Sequence, residues 1–483
     1  MSWKPTRRSF LKTTMAGGVL YLAAAGCESP ATRAGRMDLV SPGCRKSKVR
    51  VAKVYLGKPK APWPTPALDL KEEMARYEAQ FAAMKGQLAD VDFVVNELVT
   101  APDQVGALKD KLAGADGILA IHLSMGIVPI LMEVLGVGRP TVLFAAPYSG
   151  HEWTRFGALR KQKEGALLEC LLTSDTAQLA SAIRPFRAIH HLREARILNV
   201  TTRNFDSYAA AVKQKFGTEI ARVEKDRVLA AYNAVPDAAA EAETRRWIRG
   251  AEKVVEPSRD EIFRSCKLAL ALEEILNDEG GTVITVDCYG TMWRQLPAYP
   301  CIGFARLNSM GLGGMCESDL QSCMTHVLFQ ALSGKPGFVG DPTMDLSAPG
   351  IISAHCMGSP GMDGPDKPFA PYRLRSVMER QEGAVPQVRM RVGQEVTQAK
   401  LIGTDRLLFF TGTIHDTPDL PRGCRTKITV KVDGDPEKLW QNWSHGLHRV
   451  TCYGNLREDL RRFCRFTSLE LIDEAAEPPT PKA

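Results

Sequence analysis

The chain has 483 residues, of which 44% are hydrophobic and 24% charged, with a formal net charge of +7 at neutral pH. That length and apolar content support two or three domains with substantial cores and exclude a chain disordered over long stretches. Four of the basic residues, Lys4, Arg7, Arg8 and Lys12, lie in the first 27 positions; without them the net charge is +3, which gives no support to nucleic-acid binding.

The N-terminus reads Thr6-Arg7-Arg8-Ser9-Phe10-Leu11-Lys12 and runs into an apolar stretch over 16–25. This is the pattern of a twin-arginine export signal, here residues 1–27, and it predicts a periplasmic protein. The apolar stretch is about half of the roughly 20 residues that span a bilayer, which argues against a permanent transmembrane helix. Cys27 follows Ala24-Ala25-Gly26 and is a candidate for a lipid anchor, although Ala24 stands where a lipidation signal has Leu. Residues 28–47 are rich in Ser, Pro, Gly and Arg without periodicity and read as a linker.

A first α/β domain is expected over 48–165. Val49, Val51 and Val54 alternate as a strand, and Leu68, Leu70, Met74, Tyr77, Phe81, Met84 and Leu88 recur at helical spacing. Strands at 92–96, 117–123 and 141–145, with helices at 102–113 and 127–135 between them, predict a parallel sheet. The turn after the first strand is Gly57-Lys58-Pro59-Lys60 rather than a GxGxxG, so no dinucleotide or other organic cofactor site is indicated. Pro147 to Trp153 joins a turn to polar and aromatic side chains, and Trp153 is a candidate sugar contact, though an ordinary surface loop has the same composition.

A second α/β domain is expected over 166–335. It has a strand at 196–200, a helix over 258–277 opened by a Ser258/Glu261 capping box, and a buried strand at 281–288. Asp287, near the end of that strand, is a candidate for supporting the site or contacting substrate, with a solvated strand-end acid as the alternative. From 336 to 476 the pattern changes to short strands at 387–391, 396–401, 406–412 and 427–432, which predicts an antiparallel β-rich domain; 477–483 reads as a disordered tail. The fold class is therefore two doubly wound, flavodoxin- or Rossmann-like α/β domains followed by a C-terminal antiparallel β-rich domain. None of the 12 cysteines forms a CxxC pair, so buried free thiols are expected rather than a zinc ribbon or a disulfide framework.

The stretch 307–355 concentrates the chemistry. Glu317 follows a glycine-rich turn (Gly311, Gly313, Gly314) and is read as opening an apolar helix that Gly334 closes, while Asp341 is read as ending a short strand over 336–340. Acids at element ends suit a hard cation, although a Glu in a first helical turn also serves the helix dipole alone. Cys316-Glu317-x-Asp319, the turn Ser333 to Pro336, and Asp341 together resemble the L-fucose and L-arabinose isomerase family, strongest in its fucose isomerase-like branch, over roughly 256–474. His448, ahead of an apolar strand and the Tyr453-Gly454-Asn455 turn, matches the family's last motif, and His355-Cys356 matches its strand-end HC element with Met357 inserted before Gly358.

The resemblance implies a divalent cation, manganese fitting best, held by Glu317, Asp341 and His448, with His445 rejected and His355 assigned to substrate contact or support. It implies aldose–ketose isomerisation through a cis-enediol, with Glu317 and Asp341 as the catalytic proton carriers. It further implies a homo-oligomer in which the N-terminal domain of one subunit closes over the site of another. Export leaves two alternatives open: a sugar-binding protein without catalysis, or another metal-assisted reaction on a modified sugar.

Overall fold

The computed structural model describes residues 46–347 and 350–476. The twin-arginine motif, Cys27, nearly all of the linker and the tail over 477–483 lie outside the described residues. Within them, no helix is long and apolar enough to cross a membrane.

The first sheet is parallel, in the order β2-β1-β3-β4-β5. Its strands are β1 (Val49–Leu56), β2 (Val91–Val99), β3 (Gly117–His122), β4 (Thr141–Ala145) and β5 (Leu168–Leu172). The β1, β3 and β4 runs are buried almost throughout, as expected of parallel strands covered by helices on both faces. Because β5 pairs with β4, this sheet reaches past residue 165. The helix Gln178–Glu194 then leads to a second parallel sheet, β10-β9-β6-β7, built from β6 (Arg196–Val200), β7 (Glu219–Val223), β9 (Val283–Val286) and β10 (Gly313–Cys316).

The helix Arg259–Asp278 begins at the expected capping box, with Ser258 and Glu261 each accepting from the other's backbone N–H. Behind it the partly buried Arg306 sits between Glu243 (3.0 Å) and Glu273 (2.7 Å), and Glu243 also accepts from Trp247 Nε1 at 2.8 Å. Burial works against the Glu243 carboxylate, but the Arg306 and Arg246 charges outweigh it and hold its pKa down at about 2. A depressed carboxyl contributes stability that is complete above the ordinary glutamate range and disappears as pH falls towards the folded-state value. Acid titration followed by urea melts should therefore show Glu243→Gln closing part of the gap to wild type between about pH 4.5 and 2, by on the order of 3 kcal/mol. A wild-type acid limb unaffected by the change would contradict this.

A small sheet, β14-β13-β8, joins the second domain to the third through β8 (Lys253–Val254), β13 (Tyr372–Arg375) and β14 (Val385–Val388). The C-terminal domain follows the order β15-β18-β11-β12-β17-β16-β19, and β15 also pairs with β16, which closes six antiparallel strands into a barrel. These are β11 (Phe338–Asp345), β12 (Gly350–His355), β15 (Glu395–Ile402), β16 (Arg406–Asp416), β17 (Thr426–Val432) and β18 (Arg449–Tyr453); β19 (Glu470–Asp473) adds in parallel to β16. The layout of α/β domains followed by a β-rich domain is as read from the sequence.

Two local expectations are corrected. The segment read as a glycine turn contains strand β10, where a Cβ at Gly314 would collide with the Phe304 backbone, so glycine allows close approach of the helix Cys301–Ser309. Asp341 does not end a strand: β11 continues to Asp345, with Asp341 opposite Ala354 of β12. Pro342 lies past Gly340, where the pairing to β18 ends and β11 is an edge on that side, a position at which proline is tolerated. All ten cysteines among the described residues are free, and eight of them are buried.

Candidate metal centre

The helix Leu320–Ser333 is buried over nearly its whole circumference and ends at Gly334 in a left-handed cap (φ 71°). Its start differs from the sequence reading. Asp319 is the N-cap, accepting from Ser322 N–H at 3.0 Å, whereas Glu317 lies ahead of the helix. Glu317 and Ser318 both adopt positive φ, 64° and 56°, a costly conformation for side-chain-bearing residues. Ser318 Oγ donates to Asn199 Oδ1 at 2.7 Å, tying the turn to the end of β6. The turn separates two carboxylates by role: Asp319 is folded back onto the helix, and Glu317 is presented to the barrel.

Opposite it, β11 carries Asp341, β12 ends in His355, and His448 precedes β18. His448 Nε2 faces Asp341 Oδ1 at 3.3 Å and Glu317 Oε2 at 3.7 Å, and its Nδ1 lies 2.9 Å from Asp319 Oδ2. His355 Nε2 lies 3.5 Å from Glu317 Oε1, with its ring 5.4 Å from that of His448. Glu317, His355 and His448 each offer a donor atom within 4.8 Å of the others. The structure thus brings Glu317, Asp341, His355 and His448 together, and His355 approaches as closely as the three residues expected to bind the ion. His445 sits in an exposed loop.

Asp319 appeared in the sequence only as part of a motif, and the structure gives it a position behind His448. An ionised carboxylate can only accept, so His448 Nδ1 is the donor to Asp319, and Nε2 is the ring atom that faces Glu317 and Asp341 and would turn its lone pair to a bound cation. A carboxylate behind a ligating imidazole fixes its tautomer and orientation. Lys400 Nζ lies 3.3 Å from the same Asp319 oxygen. Burial disfavours the Asp319 charge, but the His448 hydrogen bond and Lys400 overcome this and hold its carboxyl far below the ordinary range. Burial also opposes a charged His448, yet its bonds to Asp319 and Asp341 and the Glu317 charge raise its pKa to about 10. The Asp341 carboxyl is disfavoured by burial and lowered on balance by His448 and His355. Three carboxylates thus converge on one imidazole, with Lys400 beside Asp319, and a divalent cation would take the place of the proton on His448 Nε2.

The donor set of two carboxylates and imidazole is hard to borderline and suits an octahedral divalent ion, leaving positions for substrate oxygens. His355 turns Nε2 to Glu317, and its Nδ1 is buried with no hydrogen-bond partner. His326, in contrast, is committed to structure: its Nδ1 accepts from Gly337 N–H at 3.1 Å and its Nε2 is 3.2 Å from Leu312 O, tying the start of β11 to the helix. Asp319→Asn should weaken binding of a divalent cation by about 10- to 100-fold, the effect of losing an outer carboxylate, while leaving Glu317, Asp341, His355 and His448 unchanged. Calorimetric titration with Mn2+ checks this; unchanged affinity would contradict the role of Asp319.

Asp287 and Trp153 are not drawn into the cluster. Buried Asp287 accepts from Thr201 Oγ1, Thr291 N–H and Thr291 Oγ1 at 2.9–3.0 Å and pairs with Arg203 at 2.7 Å, so it organises the turn after β9. Trp153 is exposed in the first domain, lining a cleft with Trp63, His122 and Tyr148 at the ends of β3 and β4. There His122 Nδ1 lies 3.0 Å from Ser149 Oγ, and its Nε2 lies 3.1 Å from Glu152 Oε2.

No family model matches the chain. It is similar to the sulfoquinovose isomerase of Clostridium sp. (strain MSTE9), with 23% identity over 238 residues, 46% of this chain and 50% of the relative. The matched region thus spans about half the length of that curated relative. This is a distant relationship to a sugar isomerase.

Proposed function

We propose that this protein is a divalent-metal-dependent aldose–ketose isomerase of the L-fucose/L-arabinose kind. The observation that carries the reading is the meeting of Glu317 and Asp341 at His448 Nε2, with Asp319 behind Nδ1. Glu317, Asp341 and His448 would hold the ion, with His355 beside it, and manganese suits this donor set. When bound, the ion supplies Lewis-acid stabilisation of the enediolate charge.

The chain's own part is proton movement. In the forward direction one of the two carboxylates takes the proton from C2 of the open-chain aldose and a proton is returned at C1. O1 gains a proton as the aldehyde becomes a hydroxyl, and O2 loses one as the hydroxyl becomes the ketone, so atoms and charge balance through a cis-enediol. Glu317 and Asp341 lie 3.7 and 3.3 Å from the same His448 Nε2, close enough together for both to reach adjacent carbons of one substrate. The similarity to the sulfoquinovose isomerase makes sulfoquinovose the first aldose to test, alongside 6-deoxyhexoses and pentoses. Ketose formed by the manganese-loaded protein from any of them supports the reading; binding without conversion of any would favour a sugar-binding protein.

The cleft lined by Trp153 belongs to the first domain, and among the described residues its polar contacts run within that domain, which suits a site completed by a neighbouring subunit. Light scattering is expected to show an oligomer, and a fully active monomer would overturn this. Export to the periplasm by the twin-arginine route, and anchoring at Cys27, remain proposals from the N-terminal sequence.

A further inference from the structure

One residue beyond His355 a second group of donors converges, and none of the chemistry above uses it. Cys356 Sγ lies 3.7 Å from Cys424 Sγ and 3.7 Å from Glu379 Oε2, and Cys424 Sγ lies 3.2 Å from Glu379 Oε1. Each of the three offers one donor atom within 4.8 Å of the others. Cys356 follows β12, Cys424 precedes β17 and Glu379 sits in the turn that Gln381 N–H closes onto Val377 O, so three separate segments meet here. Tyr289, from the turn after β9, donates its hydroxyl to Glu379 Oε2 at 3.2 Å and so orients the carboxylate.

We propose that Cys356, Cys424 and Glu379 form a second metal site, for a borderline-soft divalent cation of the zinc type, with its fourth position open to water. The distances distinguish this from a disulfide. A disulfide holds its sulfurs at about 2.05 Å. Two thiolates at about 2.3 Å from one tetrahedral zinc stand roughly 3.8 Å apart, and a thiolate and a carboxylate oxygen stand roughly 3.5 Å apart. The observed 3.7 Å between sulfurs, and the 3.2 and 3.7 Å between sulfur and oxygen, lie close to those edges. Binding releases the two thiol protons to solvent, and the resulting excess negative charge lies beside Arg425, whose guanidinium donates to Ser376 O and Oγ.

Sulfur donors also separate the two centres by ion preference, because the first offers only oxygen and imidazole nitrogen. The new site ties the end of β12 to the loop ahead of β17 and so fixes the backbone that carries His355. Its two cysteines are 68 positions apart, so the absence of a CxxC pair does not bear on it.

The test is Co2+ titration of the reduced, metal-free, full-length protein, read by the near-ultraviolet sulfur-to-cobalt charge-transfer band that only thiolate ligation produces. The band is expected at one equivalent, lost in Cys424→Ser, weakened in Glu379→Gln and retained in His448→Ala. Cys424 is half-buried and Glu379 exposed, so neither change removes core packing, and melting curves check that both variants fold. The proposal is overturned by absence of the band while both thiols react as free, by a band that survives Cys424→Ser, by its loss in a folded His448→Ala, or by a Cys356–Cys424 disulfide in the purified protein.

Discussion

Glu317→Gln is expected to lower isomerisation by about a hundred- to ten-thousand-fold, the usual contribution of a positioned acid–base group, while a divalent cation still binds. Glutamine keeps the length and one oxygen donor but cannot carry a proton. It also tolerates the backbone no worse than glutamate, so the Glu317–Ser318 turn and its bond to Asn199 should persist. The loss should therefore fall mainly on kcat. A Glu317→Gln protein that binds Mn2+ and isomerises at the wild-type rate would remove Glu317 from the proton path and leave it a ligand only.

His448→Ala is expected to reduce Mn2+ affinity by more than the roughly 10- to 100-fold ascribed to loss of an outer partner, since it removes a proposed ligand from among Glu317, Asp341 and Asp319. Without the imidazole, Asp319 retains Lys400 and Ser322 but no longer has a link to Glu317 and Asp341. His445→Ala, on an exposed loop, should change affinity by no more than about twofold, the effect of an ordinary surface substitution. Calorimetry on the two variants checks the contrast. Equal or reversed effects would show that the wrong histidine has been placed at the ion.

How much of this was legible in the sequence follows from how local each feature is. The buried parallel strands were visible because strands covered on both faces read as unbroken apolar runs, and β4 falls at 141–145 as expected. The barrel was visible only as a series of short strands: its closure by β15 on β16 and β18 joins segments whose pairing no local pattern specifies. The misplacements occur beside the site. The apolar run after Glu317 suggests a helix beginning there, but two left-handed residues intervene and Asp319 takes the cap. Gly340-Asp341-Pro342 looks like the end of a strand because Pro commonly stops one, yet β11 continues through it against β12.

The four side chains that converge were all named from motif matches. The support behind them was not, since the bond from Asp319 to His448 spans 129 positions and that from Ser318 to Asn199 spans 119. A capping aspartate gives no sign in sequence that its second oxygen will hold an imidazole. Asp287 shows the converse: a strand-end acid that looked available is consumed by two threonines and Arg203.

The most direct test of the proposed chemistry is solvent labelling. The manganese-loaded protein, incubated in D2O with an aldose it converts, is predicted to place deuterium at C1 of the ketose, because a proton held on Glu317 or Asp341 exchanges with solvent before it is returned. Conversion to ketose with no deuterium at carbon, under conditions where product is not re-equilibrated, would contradict the two-carboxylate proton path and indicate direct hydride transfer between C2 and C1.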